Sequence, residues 1–173
     1  TVMAYAGICG SINNLQSNSD AYFHSVSFDN IILFIQTQGG NTCPLTSPSG
    51  NQLPIVSIPT ATYTIPVNTP FHLTATGSDP DGEAITYCWE EWDLSNTASG
   101  QSWDYQAPGV NNPLFRSFTP VSSRTRMFPR LDDILSNTVT IGEVMPAYNR
   151  TLHFRCTVRD NHPLCGGVTH STG

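Results

Sequence analysis

The sequence contains no lysine, and all seven of its basic residues are arginine. Thirteen carboxylates outweigh them, giving a formal net charge of −6, and only 12% of residues are charged. This balance argues against a nucleic-acid partner, because a phosphate backbone is bound through clusters of Lys and Arg. No apolar run approaches the ~20 residues needed to span a bilayer, the longest being Ile31 to Ile35. No basic stretch followed by an apolar one marks a secretory leader, so any signal peptide is expected upstream of this chain. Of the five histidines, His24, His72, His153, His162 and His170, no two stand four apart and none is followed by Glu. The helical pair of imidazoles that grips zinc beside a general-base Glu is therefore absent. No phosphate-binding glycine loop is present either.

Ser, Thr and Asn are abundant, as in weakly charged extracellular β proteins. A length of 173 residues predicts one domain of roughly 100 to 150 residues with a short extra piece. In that piece Phe28, Ile31, Ile32 and Ile35 follow the i, i+3, i+4, i+7 spacing of one helical face. With Ser27 as N-cap and Gly39-Gly40 as terminator, a helix is expected from about Phe28 to Gln38. The turn-rich stretch from Pro44 to Pro54 cannot bury much surface, and residues 46–54 read as a linker between a 1–45 segment and a 55–173 domain.

Beyond the linker the period becomes two. Tyr63, Ile65 and Val67, then Phe71, Leu73 and Ala75, alternate with polar residues as half-buried strands do. Tyr87 and Trp89, and Leu152, Phe154, Cys156 and Val158, predict two more strands with those side chains inward. Between them lie extended segments near Phe115 and Met127 and a helical turn at Leu131 to Leu135. Asp79-Pro-Asp81-Gly82 is a turn, and Val168-Thr-His begins a closing strand of which only the start is expected here.

Two stretches carry a family likeness. Thr1-Val-Met3-Ala-Tyr5-Ala-Gly7, continued by Ile-Cys-Gly and by Asn13 to His24, resembles the Met-turn and following region of secreted bacterial reprolysin-like zinc proteases, which are metzincins. Gly77 to Trp89, with Leu152 to Asn161, resembles the PKD and cadherin-like group of immunoglobulin-type domains. The resemblance implies a mainly β chain: an immunoglobulin-like antiparallel β-sandwich preceded by a short, mostly helical remnant of a metzincin catalytic domain. It implies that the parent enzyme is secreted or held at the extracellular surface. That enzyme would hydrolyse peptide bonds of a protein substrate with a zinc-activated water, its zinc ligands lying upstream. Met3 would then be the apolar floor beneath the zinc-bound histidines and Tyr5 an oxyanion donor. The fragment itself is expected to be inactive.

Five cysteines leave at least one unpaired or paired elsewhere. Cys9 and Cys43 are expected to form a disulfide, Cys156 a buried thiol, and Cys88, turned outward from the core, stays open to pairing with Cys165. Asp79, Asp81, Asp160 and Asn161 form a candidate calcium site, since antiparallel neighbours bring their two loops to one end and Ca²⁺ takes six to eight oxygens. Glu90 and Glu91 cannot act as an acid/base pair, because strand neighbours face opposite ways. Arg116, Arg124, Arg126 and Arg130 offer a basic patch for an anionic glycan or the catalytic domain, or ordinary carboxylate pairing. Two alternative functions are an extracellular module that binds a cell-surface or matrix carbohydrate or protein through Trp92, Trp103 and Tyr105, and a structural spacer.

Overall fold

The computed structural model describes residues 6–8, 10, 14–42, 44–59, 62–95, 109 and 112–173. Helix α1 spans Ser25–Thr37 and is followed by a 3₁₀ turn at Gly39–Thr42. Seven strands follow: β1 (Ile55–Ser57), β2 (Phe71–Thr74), β3 (Thr76–Ser78), β4 (Thr86–Glu91), β5 (Thr125–Phe128), β6 (Phe154–Arg159) and β7 (Val168–Thr172). A short helix α2 (Leu131–Ser136) follows β5. All pairings are antiparallel, in sheets ordered β1-β3, β2-β5 and β4-β6-β7. The described chain is thus mainly β.

Strand alternation decides what faces the core. Tyr87 and Trp89 of β4 join Phe154, Cys156 and Val158 of β6, and with Ala75, Leu114, Phe115 and Phe128 they make the apolar cluster. Its centre is aromatic: Phe128 stands 5.1 Å from Phe71, 5.1 Å from Phe115 and 4.7 Å from Phe154, between ring centres. Burying each such ring contributes about 1.5–3 kcal/mol. The chain reaches this core twice in one extended run, β2 pairing with β5 and β3 with β1, with buried Ala75 between them. Gly77 allows the crossing, since a Cβ there would lie 2.9 Å from the Tyr87 hydroxyl.

The opposite face of the β4-β6-β7 sheet is polar and also covered. Cys88 and Glu90 lie on it opposite Thr157 and Arg155, and α1 docks there by its N-terminal half. Ser25 N–H donates to both Glu90 oxygens at 3.3 and 3.4 Å, Arg155 Nη1 to Asp29 Oδ2 at 2.6 Å, and Arg159 Nη2 to the Phe23 carbonyl at 2.8 Å. Cys88 therefore faces away from the core without facing solvent. It is buried, and its thiol donates to the Phe118 carbonyl at 3.3 Å.

Two sequence expectations are corrected. Helix α1 starts at Ser25 and not at Phe28, because the His24 imidazole caps it through Nδ1 and the Val26 N–H, leaving Ser27 inside the first turn. Tyr63, Ile65 and Val67 are exposed and outside any strand; no neighbouring strand is paired with them, and Pro66 cannot donate to a ladder. Val168–Thr172 pairs along β6, and Gly173 exchanges two further bonds with Phe154.

Candidate functional site

The site lies where β4 begins and β6 ends. Because Thr86 pairs with Arg159, the loop entering β4 and the loop leaving β6 meet at one end of the sheet. In the first loop Asp79 Oδ1 accepts from the N–H groups of Asp81 and Glu83 at 2.8 and 3.3 Å, and Gly82 closes the turn with φ +82°. In the second, Asp160 is 2% exposed and accepts from the Gly167 and His162 N–H groups at 2.8 and 3.0 Å. Gly167 is required there, since a Cβ would lie 2.5 Å from Asp160 Oδ2.

These turns bring one carboxylate oxygen each of Asp79, Glu83 and Asp160 within 4.8 Å of one another. The segment before β1 completes the enclosure. Asn51 Nδ2 donates to Asp160 Oδ2 at 2.8 Å and to the Cys165 carbonyl at 2.9 Å, while Gln52 donates twice to Asp81, at 2.6 and 2.9 Å. Asp79 Oδ2 and Glu83 Oε2, and the Oδ1 of Asn51, are shielded from solvent and have no hydrogen-bond donor. Oxygens in that state are costly unless a hydrogen-bond donor, a water or a cation meets them. The donor set, all oxygen and mostly anionic, fits a hard cation such as Ca²⁺.

Electrostatics divide the carboxylates. Burial raises the Glu83 pKa, and the neighbouring acids reinforce it against the opposing His162, whose Nε2 lies 3.6 Å away. Burial would also raise Asp160, but hydrogen bonds from His162, Asn51 and Gly167 outweigh it and hold this group below its ordinary value. Asp81 is lowered by the two Gln52 hydrogen bonds.

Of the four residues named from sequence, Asp79 and Asp160 converge. Asp81 is exposed and engaged by Gln52, and the Asn161 amide ties its own loop to Ala84 and Thr86 at 3.3 and 3.2 Å. Glu83 and Asn51 were missed. Glu83 follows Asp79 by four positions in the same acidic turn, a legible signal; Asn51 sat in a stretch read as linker, and nothing local marked it.

Elsewhere, Glu90 and Glu91 do face opposite ways. Glu90 is bonded to Ser25, Ser117 and Thr157 beneath α1, and Glu91 accepts from the Leu114 and Phe115 N–H groups at 2.7 Å. Arg126 pairs with Glu143 at 2.6 Å and Arg130 with Asp132 at 3.4 Å, while Arg116 bonds the Leu15 carbonyl and Gln16. One face of Trp92 is covered by the Arg155 guanidinium, 3.3 Å from the ring centre, so a sugar could stack only on the other. Cys88, Cys156 and Cys165 are free thiols, so the Cys88–Cys165 pairing is not formed. Met3, Tyr5, Cys9, Cys43, Trp103 and Tyr105 lie outside the described residues. No histidine joins a group of three metal-ligating residues among those described, so this part of the chain does not fit the zinc of the implied parent enzyme.

No family model, curated protein or solved structure matches the chain. Among the described residues no helix is long and apolar enough to cross a membrane.

Proposed function

We propose that the chain is a C-terminal portion of a secreted, reprolysin-like zinc metalloprotease, and that its larger part is a calcium-stabilised, immunoglobulin-like β-sandwich accessory to that enzyme. The cation site is the part of this reading that geometry supports best, and one observation carries it: the donorless, shielded oxygens of Asp79, Glu83 and Asn51 beside buried Asp160. The protease part rests on the resemblance of residues 1–24. A second observation favours it: the C-terminal half of α1 presents Leu33, Phe34 and Ile35 at 49, 52 and 47% exposure, an apolar surface suited to burial against the rest of a catalytic domain. Peptide hydrolysis belongs to the parent, and no catalytic step is assigned to these residues.

Thermal unfolding in Ca²⁺ and in chelator tests the cation site. A ligand held by the folded state alone contributes about 2.7 kcal/mol at a hundredfold excess over Kd, which raises the melting temperature of a chain this size by roughly 5–10 °C. An unchanged melting temperature would refute the site. For the protease, a chain extended upstream to include zinc ligands should cleave casein in a chelator-sensitive way, and the 173-residue chain should not.

A further inference from the structure

We draw no further inference here: the strongest candidate, the Cys165–His162 pair in the loop between β6 and β7, whose Sγ and Nδ1 lie 3.2 Å apart, stands with its imidazole against Glu83 and beside Asp160 and so belongs to the site already described.

Discussion

Glu90 of β4 caps helix α1 from sixty-five positions away, its two carboxylate oxygens lying 3.3 and 3.4 Å from the Ser25 N–H. The first turn of α1 contains no acidic residue, so the negative charge that favours a helix N-terminus arrives from the sheet. The His24 Nε2 stands 3.4 Å from the same carboxylate, and the Ser117 and Thr157 hydroxyls donate to it.

Glu90→Leu should therefore undo the docking of α1. Each buried donor left without an acceptor costs about 1–3 kcal/mol, and Ser25, Ser117 and Thr157 all lose theirs. Urea unfolding should show a large loss for Leu and a smaller one for Glu90→Gln, which keeps an acceptor. Equal losses would show that the carboxylate does not organise this interface.

Thiol chemistry separates the described cysteines. Burial pushes the Cys88 and Cys156 thiols up to about 12, and both side chains are inaccessible. Cys165 is partly exposed. Brief iodoacetamide treatment followed by peptide mapping should label Cys165 in the folded protein and the other two after denaturation. Labelling of Cys88 in the folded state would mean that α1 and the 117–118 segment do not cover it.

Glu91 gives stability a pH dependence of unusual sign. Burial raises its pKa to about 7 against the Leu114 and Phe115 hydrogen bonds, and its Oε1 has no hydrogen-bond partner. Between the ordinary carboxyl value and about 7 the folded state thus holds a proton that the unfolded state lacks. Stability from this group is present at the acid end of that window and declines as pH rises through about 7. Asp81 and Asp160, both lowered, act oppositely and lose their contribution as pH falls below the ordinary aspartate value. Unfolding free energy should peak in mild acid, and Glu91→Gln should lessen its decline toward pH 7, the remainder belonging to Glu143, which burial likewise raises to about 7. An unchanged decline would clear Glu91 of responsibility.

Substitutions around the proposed cation site should rank by geometry. Glu83→Gln should weaken Ca²⁺ binding more than Asp81→Asn, because Glu83 has a free shielded oxygen and Asp81 is engaged by Gln52. Gly167→Ala, whose Cβ would lie 2.5 Å from Asp160 Oδ2, should weaken it by displacing that carboxylate, although no ligand is replaced. Calorimetric titration checks the order, and a greater effect at Asp81 would redraw the site.

Core packing is tested at Phe128, which touches three other phenylalanine rings. Phe128→Ala should cost about 3–5 kcal/mol in chemical unfolding. A loss under 1 kcal/mol would show that the aromatic centre can collapse.

Much of the β scaffold was legible in the chain because alternation is a local property. It identified Tyr87, Trp89, Phe154, Cys156 and Val158 as one face, separated Glu90 from Glu91, and brought the Asp79 and Asp160 loops to one end through antiparallel pairing. The helix boundary at Gly39-Gly40 was equally local. What the sequence could not determine depends on what lies against each face. Alternation says that Cys88 points away from the core; α1, docked through Glu90, Arg155 and Arg159, makes that direction an interior. A turn-rich stretch reads as linker, yet tertiary contacts of Asn51 with Asp160, Gln52 with Asp81 and Pro54 with Thr169 pack it against the sheet. Periodicity reports which residues share a side, and only packing decides what that side meets.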